Sequence, residues 1–337
     1  MPDEHTTILG DGQMALVAAD ALAATGWDIR IWGHDAGDLA ALGAERTSPR
    51  LPGFTLPPAV TTEPDLAAAV EGASLIVSAI PTQFLRGVWS RLVKTIPADV
   101  AVVSVSKGVE LQTLLTPTRA IADALGEAED ARPYAALSGP TIAHELMEHK
   151  PATMVAASAH SYLAERTQRA FGAPWMRIYA SDDPLGVEIA GAVKNIIAIA
   201  AGVVDGLGLG SNAKSALLSR GLAELTRFGA ALGARPDTFF GIAGVGDLAT
   251  TCFSPHGRNR SCGEALGSGE PLDDYLERTQ SVVEGVATTR AVTAWSIRLG
   301  VDMPITHAVH AVLFENTPPE DAIGMLMDRP VGHERLV

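Results

Sequence analysis

An α/β domain built on a parallel sheet, followed by an all-α domain, is the fold class this sequence predicts, and three observations carry it. Short apolar runs alternate with helix-forming stretches through the first 184 residues. Two of those runs, 73–79 and 100–105, hold almost no polar residue, which suits strands buried on both faces of a parallel sheet. Beyond Ser181-Asp182-Asp183-Pro184 the strand pattern stops and long helical stretches take over. The reading divides the chain into domains 1–184 and 185–337.

The chain opens with a short apolar strand, 6–9, then Gly10-Asp11-Gly12-Gln13-Met14-Ala15, an Ala/Leu-rich helix over 16–24, and a second strand over 28–32 directly after Gly26. Strand, tight glycine turn, helix and strand within about thirty residues begin a Rossmann-type dinucleotide-binding unit. Gly10 permits the turn, and Gly12 lets backbone N–H groups approach a pyrophosphate at the positive end of the helix. Ala15 stands at the third fingerprint position, so the motif is G-x-G-x-x-A, with an ordinary βα turn as the alternative. The residue that separates NAD from NADP belongs near the end of the second strand. There Asp35 suits a ribose hydroxyl and His34 suits a 2′-phosphate, which leaves NAD or NADP open.

Later elements repeat the pattern. Helices are expected near 65–71 and 82–94, a strand ending before Ser138-Gly139-Pro140, and another strand over 152–157. Pro49, Pro52, Pro57, Pro58 and Pro64 make 47–64 an ordered loop rather than a helix. Polar and glycine positions gather at the expected strand ends, where ligands of parallel α/β sheets lie.

In the second half, 185–204 reads as one apolar helix with Lys194 and Asn195 in its middle. Polar groups there are costly unless paired or liganded, which marks a functional pair; a lysine reaching solvent along a helix edge is the alternative. A glycine-rich break, 205–210, precedes a helix over 212–232. The glycines of 241–246 lead to Asp247, Thr250-Thr251-Cys252 and then Gly257-Arg258-Asn259-Arg260. This reads either as tight backbone around a polar ligand or as a solvated surface loop. Gln280 to Gly285 opens another helical region, and further helices around Met303-Pro304-Ile305-Thr306 close the domain.

Composition narrows the function. With 25 Lys+Arg against 39 Asp+Glu, the formal charge is -14, which repels a nucleic-acid backbone yet allows a small phosphorylated ligand at a local cluster of cations. The two cysteines, Cys252 and Cys262, suggest no disulfide framework and fit a reducing compartment. The first residues lack a secretory pattern, and apolar stretches such as 196–204 are too short for a membrane span, so a cytoplasmic protein is expected.

Taken together and in this order, the early glycine turn, Leu51-Pro52-Gly53, Ser106-Lys107-Gly108-Val109-Glu110, Ser138-Gly139-Pro140-Thr141-Ile142-Ala143, Lys194-Asn195, Gly246-Asp247-Leu248, Thr250-Thr251-Cys252, Arg258-Asn259-Arg260 and Val283-Glu284-Gly285 form a specific signal. The chain resembles the NAD(P)-dependent glycerol-3-phosphate dehydrogenases of the bacterial type over almost its whole length. The resemblance implies reversible hydride transfer between sn-glycerol 3-phosphate and NAD(P)+, giving dihydroxyacetone phosphate and NAD(P)H and supplying glycerol 3-phosphate for phospholipid synthesis. It also implies an N-terminal Rossmann-type domain, a helical C-terminal domain and a homodimer. Lys194 matches the family's general acid/base. Lys107, Gly139, Thr141, Asn195, Asp247, Thr251, Arg258 and Asn259 match substrate positions, while Gln13, Met14, Lys107, Ala143, Arg258 and Glu284 match cofactor-side positions. Three departures stand out: Gln13-Met14-Ala15 where relatives usually carry a third glycine, Thr141 where many have serine, and Gly257 where many bacterial members have serine.

The chemistry agrees with that set. A lysine donates the proton when a ketone is reduced and removes it when the alcohol is oxidised, provided burial and neighbouring cations lower its pKa. Lys107 supplies a hydrogen bond to substrate oxygens, and Arg258 a rigid fork for phosphate with Asn195, Asn259 and Thr251 as neutral partners. No metal is expected, since no close His/Cys ligand cluster is present.

Overall fold

The structure, a computed structural model, describes residues 5–97, 99–128, 131–279, 282–331 and 333. The chain divides into two compact units, one of Met1–Ser106 with Pro117–Pro184 and the other of Lys107–Thr116 with Leu185–Val337. The expected cut at 184/185 is contiguous and so takes no account of Lys107–Thr116. That segment belongs to the second unit because Val109 and Leu114 are buried in the second unit's apolar core.

The first unit is an eight-stranded sheet, β1 (His5–Leu9), β2 (Asp28–Trp32), β3 (Val60–Thr62), β4 (Leu75–Ser78), β5 (Ala101–Ser104), β6 (Tyr134–Ser138), β7 (Ala152–Ala157) and β8 (Met176–Ser181), in the order β3-β2-β1-β4-β5-β6-β7-β8. Six strands run parallel; β7 lies antiparallel to β6, and β8 is parallel to β7. The expected parallel sheet is present over β1 to β6, and the reversal comes at β7. The link from β6 to β7 contains only the five-residue helix Ala143–Met147. At about 1.5 Å per residue such a helix is shorter than the strand it would have to retrace.

Apolar residues of β1, β2 and β4 alternate between two cores, as the period of two requires. Ile8, Ile29, Ile31, Leu75 and Val77 enter one with the helix Gln13–Ala24, while Leu9, Trp32 and Ile76 enter the other with Trp89 and Ile121. Two expectations change in detail. The loop expected over 47–64 ends in β3, a three-residue edge strand that avoids every proline of the segment. The helix expected over 82–94 is three short pieces, the 3-10 turn Thr82–Phe84, the helix Leu85–Trp89 and the 3-10 turn Ser90–Leu92, with Gly87 weakening its middle.

The second unit is helical. The helix Pro184–Gly206 forms its axis and overruns the expected glycine break at 205–210, and the next helix, Gly210–Ala231, starts four residues later. This corrects the length argument drawn from 196–204, since the full helix has 23 residues and an 18-residue window within it reaches a mean hydropathy of 1.8, enough by length and composition to cross a membrane. Of that apolar stretch, 94% is buried within the structure, as in the central helix of a folded core.

A close helix contact holds the unit together. A Cβ on Gly202 would fall 2.0 Å from the Arg260 carbonyl oxygen, and one on Gly263 would fall 1.9 Å from that of Ile199. Only glycine permits the helices Pro184–Gly206 and Arg258–Gly267 to approach this closely. The glycine segment, expected either as tight backbone around a polar ligand or as a solvated surface loop, is helical: Ile242–Gly246 forms a π turn, with the Gly246 N–H donating to the Gly241 carbonyl, and the helix Asp247–Phe253 follows it. Gln280 and Ser281 lie outside the described residues, and Glu284–Leu299 is helical as expected.

Candidate active site

Four of the expected side chains meet inside the second unit. Lys194 arrives from the middle of Pro184–Gly206, Asp247 and Thr251 from one face of Asp247–Phe253, and Lys107 from the excursion Lys107–Thr116. The π turn delivers Asp247 at the first position of its helix, and the four-residue spacing places Thr251 above it. Lys194 Nζ donates to Asp247 Oδ1 at 2.5 Å and to Thr251 Oγ1 at 2.7 Å, while Lys107 Nζ donates to Asp247 Oδ2 at 2.6 Å. Thr251 in turn donates to the Asp247 backbone carbonyl at 2.7 Å, so its hydroxyl is fixed as an acceptor toward the lysine.

These groups are deeply buried; the Lys194 side chain is 7% exposed and that of Asp247 1%. Burial pushes the Lys194 ammonium down to about 8; Asp247 opposes the shift and Lys107 reinforces it. Burial alone would raise the Asp247 carboxyl, yet Lys107 and Lys194 outweigh it and hold the group below the usual carboxylate range. With both lysines protonated, two positive charges and one negative leave one net positive charge in a desolvated setting. The alternative of Lys194 reaching solvent is excluded by its burial and partners.

A second cluster lies on the same two closely packed helices. Asn259 Nδ2 donates to Asn195 Oδ1 at 2.9 Å, and Asn259 Oδ1 accepts from the Gly285 N–H at 2.9 Å. This amide chain ties Glu284, the first residue of Glu284–Leu299, to the helix that carries Lys194. Arg258 is exposed at the first turn of Arg258–Gly267, and among the described residues its guanidinium has no hydrogen bond or ion pair. A cation at a helix N-terminus is placed against the helix dipole, and an anionic ligand relieves that conflict.

The remaining expected residues belong to the first unit. Gly10 follows β1 with φ +120°, and a Cβ there would sit 2.7 Å from the Ala79 carbonyl oxygen, so only glycine fits the turn. Gly12 is the N-cap of Gln13–Ala24, no side chain caps that helix, and the space a Gly12 Cβ would take is open. An uncapped helix N-terminus with open space beside Gly12, at the β1/β4 switch in strand order, suits a dinucleotide pyrophosphate. Ala15 is fully buried against the sheet, the packing that the third fingerprint position requires. Met14 packs partly into the core, and Gln13 donates to the Arg50 carbonyl at 2.7 Å. His34 and Asp35 are exposed at the end of β2, with Asp35 capping the helix Ala36–Glu45 through the Asp38 N–H at 2.9 Å. After β6, Thr141 Oγ1 donates to the Gly139 carbonyl at 3.2 Å, and Ala143 begins the short helix that follows.

Sequence reasoning passed over Arg50 and Asp11. Arg50 forms ion pairs with Asp11, inside the glycine turn, and with Asp38 at 2.7 Å. An acidic residue between the first two fingerprint glycines was the available signal, because it calls for a counter-ion. Cys252 and Cys262 are free and buried, and burial pushes both thiols up to about 12, which makes them unreactive core residues.

Two family models match the chain, the NAD-dependent glycerol-3-phosphate dehydrogenase N-terminus over residues 5–164 and the C-terminus over residues 183–324. The glycerol-3-phosphate dehydrogenase (NAD(P)+) of Chlorobium phaeobacteroides is 45% identical over 324 residues, 96% of this chain and 97% of the relative. That of Geobacillus thermodenitrificans is 43% identical, with 97% and 95% covered. Among solved structures, the glycerol-3-phosphate dehydrogenase of Coxiella burnetii is similar with a TM-score of 0.92 at 33% identity, covering 97% of this chain and 99% of that one.

Proposed function

The chain belongs to the NAD-dependent glycerol-3-phosphate dehydrogenase family, and from that premise we propose how its residues carry the reaction. The protein is an NAD(P)-dependent oxidoreductase that reversibly oxidises sn-glycerol 3-phosphate to dihydroxyacetone phosphate. When bound, the nicotinamide cofactor accepts or supplies the hydride. Lys194 handles the proton. In ketone reduction its ammonium gives a proton to the carbonyl oxygen as the carbon gains hydride; in alcohol oxidation its amine takes the hydroxyl proton as hydride leaves.

The observation that supports this assignment is the geometry at Lys194 Nζ. An ammonium has three donors, and Asp247 and Thr251 engage two of them, which leaves one N–H, or a lone pair after deprotonation, for substrate. A pKa of about 8 keeps both protonation states accessible near neutrality. Lys107 remains the second cation, hydrogen-bonding the substrate oxygens and offsetting negative charge that develops on the carbonyl oxygen.

Arg258 takes the phosphate as a bidentate fork, with Asn195 and Asn259 as neutral donors and Thr251 beside the reacting oxygen. Gly139 and Thr141 complete the substrate set. Gly10 and Gly12 hold the pyrophosphate through backbone N–H groups, with Gln13, Met14, Ala143, Glu284, Lys107 and Arg258 on the cofactor side and Asp35 or His34 at the adenosine ribose. The same proposal takes the protein as a cytoplasmic homodimer that supplies glycerol 3-phosphate for phospholipid synthesis. The deciding assay follows consumption of NADH and NADPH, in parallel, on adding dihydroxyacetone phosphate to the purified protein. Turnover with at least one cofactor is expected; none with either overturns the reading.

A further inference from the structure

One arginine ties together the whole region around the glycine turn. The Arg50 guanidinium pairs with Asp11 inside the turn and with Asp38 in the first turn of Ala36–Glu45, and its carbonyl accepts the Gln13 amide at 2.7 Å. The residues on both sides of Gly12 are thus clasped by a single side chain and its backbone. A third carboxylate, Asp35, lies at the end of β2. The N–H groups of Asp38 and Gly37 hold it below the usual carboxylate range, with Arg50 adding to the effect, so it is ionised at neutral pH. Three carboxylates share one guanidinium, with the His34 imidazole beside Asp35, where the adenosine ribose of a dinucleotide lies in this fold.

We propose that Arg50 serves as the internal counter-ion of the glycine turn, not as a receptor for phosphate, and that this arrangement makes the protein selective for NAD(H) over NADP(H). The inference rests on the function proposed above. A ribose 2′-hydroxyl meets these carboxylates as a hydrogen-bond donor. A 2′-phosphate brings about two negative charges against the single imidazole of His34, and a guanidinium for it comes only by drawing Arg50 away from Asp11 and Asp38, which leaves them uncompensated.

The test is direct binding of NADH and NADPH, each titrated into the purified full-length protein with calorimetry as the readout and no substrate present. NADH is expected to bind at least about tenfold more tightly, with the difference narrowing as salt is raised. Asp38→Asn removes one of the two carboxylates on Arg50; the Asp38 side chain is 60% exposed, so the variant folds. It is expected to contract the affinity ratio about threefold or more by releasing the guanidinium. NADPH binding as tightly as NADH, or an unchanged ratio in Asp38→Asn, overturns this inference alone. Failure to bind either dinucleotide overturns it together with the functional reading.

Discussion

The lysine cluster of the second unit and the glycine turn of the first, both proposed above to meet ligand, are built in opposite ways. Around Lys194 the side chains are already paired with one another, buried, and carry perturbed proton affinities. Around Gly12 no side chain caps the helix and the space beside the glycine is open, and the nearby side chains serve to fix the backbone. The first arrangement tunes a proton; the second tunes a shape. A pairing of buried charges is sensitive to single-atom changes in side chains, whereas a backbone cradle is sensitive to whatever alters its dihedral angles.

Substitutions test that separation. The largest effect is expected from Lys194→Met, with kcat down by about 10²–10⁴ and dinucleotide affinity retained. Steady-state rates beside equilibrium titration check it, and near-normal turnover would remove the proposed acid/base. Arg258→Ala should raise KM for the phosphorylated substrate by about 10- to 100-fold, the worth of a charge-assisted hydrogen bond, with a smaller change in kcat. An unaltered KM would detach this arginine from the phosphate.

Gly10→Ala tests the other region. Its positive φ and the nearby Ala79 carbonyl should cost about 1–3 kcal/mol in stability and weaken dinucleotide binding, measured by denaturant unfolding and titration. The proton behaviour at Lys194 should survive, and a lost inflection in the remaining activity would show that the two regions are not separable. The smallest change to impose is pH itself. Because burial lowers Lys194 to about 8, ketone reduction should fall as pH rises through about 8 and the ammonium is lost. Alcohol oxidation should rise over the same interval as the amine appears. Rates that are flat across it in both directions would contradict the assignment.

Much of this was legible from residues alone, for identifiable reasons. A charged and an amide residue inside an apolar helix announce themselves, and Lys194-Asn195 did so. Glycines between an apolar strand and a helix mark a turn without any tertiary knowledge, as Gly10 and Gly12 do. The meeting of residues 107, 194 and 247 has no such local trace, and the family resemblance, rather than any periodicity, pointed to those positions. The π turn Ile242–Gly246 gives no helical signal in sequence, because five residues that include two glycines carry neither a 3.6-residue pattern nor a cap. The clasp by Arg50 escaped notice since its partners come from the first turn, the second helix and a proline-rich loop, which only the fold assembles.

The excursion Lys107–Thr116 has a consequence for how the gene can be divided. A polypeptide begun at residue 185 would contain Lys194, Asp247 and Thr251 but would lack Lys107, and with it Val109 and Leu114 from the interior. Its buried carboxylate would keep one cation instead of two, and its hydrophobic packing would be missing two side chains. Under the roles proposed for these residues, splitting the protein at the apparent joint would yield a defective half, and any fission or permutation meant to preserve the chemistry must carry those ten upstream residues along.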